Sequence, residues 1–160
     1  MVNGADRHYL NKCVELAHEA LAAGNAPFGS ILVVNDQVAA TAKNEEASGD
    51  PTQHPEFELA RWAAQHLDPA TRAAATVYTS GEHCPMCSAA HAWAGLGRIV
   101  FAASTQQLAE WREEFGVAPG PVLPLAITEV APNIPVTGPV PELATTMRGL
   151  HQRHASRNPT

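Results

Sequence analysis

Apolar residues recur every three or four positions in several stretches of the chain, and this period predicts amphipathic helices. The first such stretch lies within residues 8–25. Leu10, Val14 and Leu21 share its apolar face. Cys13 lies on the same face, so we interpret it as a small buried hydrophobic residue rather than a metal ligand.

Short runs of apolar and β-branched residues predict strands between the helical stretches. The predicted strands lie on either side of the turn Asn35-Asp36, which makes a hairpin, and over residues 74–80, 98–104 and 124–130. Further helices are predicted over residues 54–67, 84–96, 105–116 and 140–155. Residues 131–139 are rich in proline and indicate a linker.

Helices and strands alternate after the initial hairpin, and this order predicts an α/β fold. We expect three layers, α/β/α, around a central mixed sheet of five strands. With 160 residues, 45% of them hydrophobic, the chain suits one globular domain over residues 1–160.

The amino-acid composition limits the classes of binding partner that we expect. The net charge is −6, from 10 Lys and Arg against 16 Asp and Glu, and the chain shows no basic stripe. Binding to polynucleotides relies on such a stripe, so we expect no nucleic-acid partner. No apolar run is long enough to cross a bilayer and the first residues do not resemble a signal peptide, so we expect no membrane partner. Three cysteines do not suggest a disulfide framework, and we expect a cytoplasmic protein.

Two of the cysteines, Cys84 and Cys87, stand at the start of a predicted helix with Pro85 between them. A Cys-x-x-Cys pair alone is compatible with a disulfide, a redox dithiol, a metal site or coincidence. A second proline-opened helix start carries His54 and Glu56. Zinc favours cysteine sulfur and histidine nitrogen, and three such ligands leave a fourth position for water. Glu56 would then accept a proton from that water.

His-x-Glu followed by a proline-associated Cys-x-x-Cys is the signature of zinc-dependent base deaminases. "PFGS" before a strand, Asn44 ahead of "DPTQHPE", "VYTSGEHCPMC" and "RIVFAAS" follow in the matching order. The chain therefore resembles the cytidine deaminase superfamily, on the nucleobase side that contains guanine and cytosine deaminases. The resemblance implies a cytidine-deaminase-like fold and Zn²⁺ held by His54, Cys84 and Cys87. It also implies Glu56 as the catalytic proton carrier.

The same resemblance suggests residues for the substrate. It makes Asn44 the amide that hydrogen-bonds the base, although the position also suits an ordinary loop asparagine. Phe28 and Trp93 either stack on a flat heterocycle or belong to the core. His83 stands where the family usually has proline, and it either approaches the pocket and selects substrate or occupies a surface turn.

In guanine deaminases of this fold the C-terminal segment closes over the pocket and can come from a neighbouring subunit. The resemblance thus implies a homodimer, with residues of about 132–160 closing over the site or exchanging between subunits. It makes Glu142 a second catalytic acid, with Glu114 as the fallback; a helix-start carboxylate is the alternative for Glu142. His151 and His154 are interpreted as residues of a helix end rather than as ligands.

The expected activity is hydrolytic deamination of a free nucleobase or related amino-heterocycle, which replaces amino by oxo and releases ammonia. Guanine, aminopurines and aminotriazines are the favoured substrates. The alternatives are a cytosine-type base deaminase and a catalytically inactive zinc-binding module of the same fold.

Overall fold

The computed structural model describes residues 1–157, in which seven α-helices and one short 3₁₀ turn surround a five-stranded sheet. The helices are α1 (Gly4–Ala22), α2 (Pro55–His66), α3 (Pro69–Ala74), α4 (Pro85–Ala94), α5 (Thr105–Glu114), α6 (Ile127–Val130) and α7 (Pro141–Arg157), and the 3₁₀ turn spans Glu46–Ser48. The strands are β1 (Gly29–Val34), β2 (Gln37–Lys43), β3 (Thr76–Gly81), β4 (Ile99–Ala103) and β5 (Val136–Thr137).

The sheet is mixed, in the order β2-β1-β3-β4-β5. β1 pairs antiparallel with both β2 and β3, whereas β4 runs parallel to β3 and to β5. The β1–β2 turn at Asn35 and Asp36 has φ values of 50° and 59°, which suits the right-handed twist of a two-residue hairpin. The predicted hairpin and the predicted five-stranded mixed sheet are confirmed.

Alternating strand residues separate two apolar layers, one on each face of the sheet. One layer joins α1, α5 and α7 to strand residues such as Ile31 and Val100. The opposite layer joins α2 and the end of α4 to residues such as Leu32 and Val77. Cys13 is fully buried in the first layer, as its place on the apolar face of α1 predicts.

The fifth strand is not where the apolar pattern predicts it. Residues 124–130, predicted as a strand, instead contain α6, whose first amide, that of Ile127, donates to Glu82 Oε1 at 2.9 Å. β5 lies within the predicted linker and has only two residues, between Pro135 and Pro139. Because proline cannot donate to a sheet ladder, the surrounding prolines keep this edge strand short.

α1 and α7 lie side by side and run in the same direction. At their starts, Arg7 forms an ion pair with Glu142; at their ends, Arg157 donates to the carbonyl of Leu21. The end of α1 leads into β1, so the last turns of α7 lie near the start of β1. The last three residues of the predicted closing segment, 158–160, lie outside the described residues.

Within residues 1–157, each helix is too short or too polar to cross a lipid bilayer.

Candidate active site

Two helix starts meet at one point on the α2–α4 face of the sheet. His54 is the residue preceding α2 and Cys84 the residue preceding α4, and neither helix start is capped by a side-chain hydrogen bond. Proline opens both helices, where its missing N–H removes no helical hydrogen bond. The positive ends of both helices therefore face the cluster formed by His54, Cys84 and Cys87, and they favour negative charge there.

The distances in this cluster suit a tetrahedral metal. Nδ1 of His54 lies 3.5 Å from Sγ of Cys84 and 3.6 Å from Sγ of Cys87, and the two sulfurs are 3.5 Å apart. Zinc bonds of standard length at tetrahedral angles would place nitrogen and sulfur about 3.6 Å apart and two sulfurs about 3.8 Å apart. Among residues 1–157, this is the compact metal-ligating group that the structure contains.

Cys84 and His54 stabilise each other's charged forms, whereas Cys87 keeps its proton as the hydrogen-bond donor to Cys84. Hydrogen bonding from Cys87 and from His54 lowers the pKa of Cys84 to about 4. The neighbouring Cys84, then Glu46, raise the pKa of His54 to about 10. The Cys84 hydrogen bond and burial raise the pKa of Cys87. A cation that binds this set displaces the bound protons, as soft metals do on thiolate and imidazole ligands.

Glu56 is the second residue of α2 and its side chain is buried, with 5% of the residue exposed. Its Oε1 accepts hydrogen bonds from Thr79 Oγ1 at 2.6 Å and from Ser30 Oγ at 2.9 Å. Burial raises its pKa, although these hydroxyls act in the opposite direction. Its charge acts on His54, Cys84 and Cys87, so the carboxyl group lies within electrostatic reach of the cluster.

The apolar and polar pattern gives no indication of Glu46, a residue of the polar loop after β2. Its Oε1 lies 2.7 Å from Nε2 of His54, on the side of the ring away from the sulfurs. Burial alone would raise the pKa of Glu46, but the hydrogen bond and charge of His54 lower it. The sequence separation of Glu46 and His54 does not predict this contact, because the conformation of the loop between them sets the distance.

Comparison with known proteins identifies the family of this site. The family model for the cytidine and deoxycytidylate deaminase zinc-binding region matches residues 4–103. The chain belongs to this deaminase family. Zn²⁺ is the metal of this region, and the cluster of His54, Cys84 and Cys87 fits it.

Three similar proteins illustrate the range of the family. A probable cytosine deaminase of Schizosaccharomyces pombe is 36% identical over 115 residues, 71% of this chain and 70% of that protein. The guanine deaminase of Bacillus subtilis is 36% identical over 104 residues, 64% of this chain and 67% of that protein. The structure of a guanine deaminase from Nitrosomonas europaea has a TM-score of 0.70 and 22% identity, over 98% of this chain and 86% of that chain. At that identity, the structural likeness supports the fold alone.

Asn44 lies in this deaminase at the end of β2, where its backbone amide donates to the carbonyl of Phe28 at 3.0 Å. The side chain is fully buried. Its Oδ1 accepts from the amide of Glu46 at 3.1 Å, whereas Nδ2 has no hydrogen-bond partner among the described residues. A buried donor without a partner is costly unless another group satisfies it. Asn44 is therefore not an ordinary solvated loop asparagine.

Phe28 packs near the same end of the sheet. A Cβ atom built on Gly81 would lie 2.9 Å from Cε1 of Phe28, so the ring occupies the space beside this glycine. On its other side the ring meets His151 of α7 edge-on, with 4.9 Å between ring centroids. Burial lowers the pKa of His151 to about 3, so this imidazole is neutral at physiological pH.

His83 does not occupy a surface turn, so that alternative is wrong. The residue is fully buried, and its ring meets His91 edge-on with centroids 5.2 Å apart. Neither ring nitrogen has a partner among the described residues. Burial lowers the pKa of His83 well below its usual value, and the neutral ring packs against α4.

Trp93 is also not a core aromatic, because 91% of it is exposed. It stands nine positions after Cys84, about 13 Å along α4 at the usual helical rise. The structure therefore separates Trp93 from the cluster of its own chain. A stacking role for Trp93 would require a second chain, and it stays a prediction.

The C-terminal acids lie apart from the cluster as well. Glu142 is exposed and forms an ion pair with Arg7, with 2.7 Å between Oε1 and the guanidinium nitrogen. It precedes His151 by nine positions, about 13 Å along α7. Glu114 is an exposed partner of Arg148. The predicted catalytic role of Glu142 stays a prediction, and within one chain its contacts are those of a surface ion pair.

Proposed function

We propose that this deaminase hydrolyses the exocyclic amino group of a free nucleobase or related amino-heterocycle of the guanine, aminopurine or aminotriazine type. The base loses its amino group as ammonia and gains a carbonyl oxygen from water. The observation that supports this most directly is Glu56, a buried carboxyl group whose side-chain hydrogen bonds come from two hydroxyl groups and which lies in electrostatic contact with a three-ligand metal cluster. A purely structural zinc site would have four protein ligands and no need of this acid.

In the proposed reaction His54, Cys84 and Cys87 would hold Zn²⁺, and the ion would supply an activated water as nucleophile. Glu56 accepts a proton from this water and delivers it to the ring nitrogen beside the amino-bearing carbon. The water oxygen bonds to that carbon, and Glu56 carries the remaining proton of this oxygen to the amino nitrogen, so that the C–N bond breaks, a carbonyl group remains and ammonia leaves. Ser30 and Thr79 hold one carboxylate oxygen of Glu56, which leaves the other free for proton transfer.

The base would be recognised by the polar and aromatic groups around Asn44. The unpartnered Nδ2 of Asn44 offers a buried donor to a ring nitrogen or carbonyl oxygen. Phe28 offers an apolar surface to a flat ring. His151 meets Phe28, and the charge of His154 acts on Glu46, so we propose that the last turns of α7 close the pocket.

The similarity to the Bacillus subtilis guanine deaminase supports a purine substrate, and that to the probable cytosine deaminase supports cytosine as the alternative. The net charge of −6 favours free bases over polynucleotides. We further propose a homodimer, in which the exposed Trp93 meets the second subunit. A reducing cytoplasm suits a site that needs free thiols.

The test is ammonia release from purified, zinc-loaded protein with guanine, isoguanine, adenine, cytosine and an aminotriazine as substrates. We expect turnover of guanine or a related base, with little dependence on salt. Turnover of cytosine alone would support the alternative. Zinc-loaded protein that releases no ammonia from any of these bases would instead indicate an inactive zinc-binding module.

The ligand assignment has its own control within the chain. Cys87→Ala removes a proposed ligand, whereas Cys13→Ala removes a buried cysteine in the opposite apolar layer. Zinc content per chain should fall in the first variant and stay unchanged in the second. Full metal content in Cys87→Ala would show that the ligand set is wrong.

A further inference from the structure

The two nitrogens of the His54 ring face different groups. Nδ1 lies 3.5 Å from the sulfur of Cys84, and Nε2 lies 2.7 Å from Oε1 of Glu46. A neutral imidazole carries one proton, and a carboxylate accepts a hydrogen bond only from the nitrogen that carries it. Once a metal replaces the proton on Nδ1, Glu46 holds the remaining proton on Nε2, so that the lone pair of Nδ1 is available on the side of the sulfurs.

We infer that Glu46 is a positioning residue of the metal site, which fixes the tautomer and the ring orientation of His54 and thereby strengthens zinc binding. The inference rests on the proposed function only in that His54 is taken as a zinc ligand. Carboxylate partners of ligating histidines raise the basicity of the ligand and reduce the freedom of the ring. Both effects act on metal affinity rather than on the stability of the fold.

Glu46 can serve this purpose because its own backbone is held on both sides. Its amide donates to Oδ1 of the buried Asn44 at 3.1 Å, and the next amide, that of Ala47, donates to Oδ1 of the buried Asn25 at 2.8 Å. The preceding amide, that of Glu45, donates to the carbonyl of Gln53 beside His54. The loop thus presents the Glu46 carboxylate to the ring from a fixed backbone.

The competing explanation is that the Glu46–His54 contact is an ordinary surface ion pair without a functional role, because exposed ion pairs add little to stability. The contact differs from such pairs in its partner and in its exposure. Glu142 and Arg7 have side chains that are 60% and 49% exposed, whereas Glu46 and His54 are 35% and 26% exposed. The partner of Glu46 is also a short, rigid ring whose other nitrogen belongs to the metal cluster.

The experiment measures the zinc dissociation constant by competition with a chelator in wild type, Glu46→Ala, Glu46→Gln and Glu45→Ala. Glu45 is the matched control, because it is the neighbouring acid of the same loop and its side chain is exposed. We expect Glu46→Ala to bind zinc about 10- to 100-fold more weakly. Glu46→Gln keeps an oxygen acceptor and should recover part of the loss, while Glu45→Ala should match wild type.

A second readout is the visible absorption spectrum of the cobalt(II)-substituted protein, which reports ligand geometry directly. The spectrum should change in Glu46→Ala and stay unchanged in Glu45→Ala. Wild-type zinc affinity and a wild-type cobalt spectrum in folded Glu46→Ala would overturn the inference and leave the proposed function intact. Absence of zinc binding by wild type would overturn both, so the two failures are distinguishable.

Discussion

Asp6 and Glu56 are both buried carboxyl groups, yet the protein surrounds them in opposite ways. Asp6, 1% exposed, accepts two hydrogen bonds of 3.1 Å from the guanidinium of Arg98 and one of 2.9 Å from the hydroxyl of Tyr78. Burial would raise its pKa, but these partners lower it. The side-chain donors to Glu56 are the hydroxyls of Ser30 and Thr79, and burial raises its pKa.

Adjacent residues of β3 donate hydrogen bonds to the two acids. Tyr78 and Thr79 follow each other in β3, so their side chains point to opposite faces of the sheet. On the α1 face a cation neutralises the acid and joins helix to sheet. On the α2 face the acid accepts hydrogen bonds from two hydroxyl groups and lies beside a metal cluster. The difference separates a carboxylate that holds the fold from one whose proton can move.

The largest expected effect is that of Glu56→Gln on turnover. The amide has nearly the shape of the acid but cannot carry a proton, so ammonia release should fall by about 10³-fold or more. Zinc content should stay at the wild-type level. The unfolding free energy of the metal-free variant should rise at neutral pH, because burial disfavours the charged carboxylate that the change removes. Retained turnover would remove Glu56 from the mechanism.

The next effect is that of Asp6→Asn on stability. The change leaves the Arg98 guanidinium without its carboxylate, and since Arg98 is one-third exposed we expect a loss of about 2–3 kcal/mol in unfolding free energy. Turnover per folded, zinc-loaded molecule should stay unchanged. Glu19→Gln is the matched control on the same helix, because its partner Lys43 forms an exposed pair worth about 0.5 kcal/mol or less. A clear fall in turnover per folded, zinc-loaded Asp6→Asn molecule would contradict the assignment of Asp6 to stability and of Glu56 to catalysis.

The sequence predicts Glu56 but not Asp6, and the reason is the range over which each contact acts. His54, Glu56, Cys84 and Cys87 lie at helix starts that local spacing reveals. Asp6 is part of a pair with Arg98, 92 positions away, which only the packing of α1 on the sheet brings together.

The sheet likewise shows that contacts between residues distant in sequence are not predicted by local patterns. Four strands follow from alternation and turn residues, but β5 has two residues between prolines and owes its place to pairing with Ile99 and Val100. His83 is a further case, since its burial depends on how α4 packs and not on the residues beside it.

A smaller effect separates the two acids by pH. The lowered folded pKa of Asp6 stabilises the fold above its unfolded value of 3.8, and this contribution is lost as the pH falls through the folded value. The contribution of Glu56 to the unfolding free energy depends on pH in the opposite direction. Its folded pKa is raised, so the carboxyl group favours the fold below its unfolded pKa of 4.5 and disfavours the fold as the pH rises.

Denaturant unfolding of metal-free wild type and Asp6→Asn at about pH 6 and about pH 3 tests this sign. The difference in unfolding free energy between the two proteins should shrink at the lower pH. The difference between wild type and Glu56→Gln should shrink there too, but from the other side, because Glu56→Gln is the more stable protein at neutral pH. A cost of Asp6→Asn that is constant over this range would show that its carboxylate is not the stabilising form.

The smallest effect is that of Ser30→Ala. Ser30 donates to Glu56 at 2.9 Å, but its hydroxyl also lies 2.8 Å from Oγ1 of Thr79, which itself reaches Glu56 at 2.6 Å. Thr79 can therefore keep the carboxylate in place, and we expect a loss of about 1 kcal/mol in transition-state stabilisation, about fivefold in kcat/KM. Thr79→Val should cost more, because it removes the shorter of the two hydrogen bonds to Glu56. If Ser30→Ala instead lost as much turnover as Glu56→Gln, the serine hydroxyl would take part in proton transfer. The difference between Glu56 and the cation-bound Asp6 would then include the role of this hydroxyl.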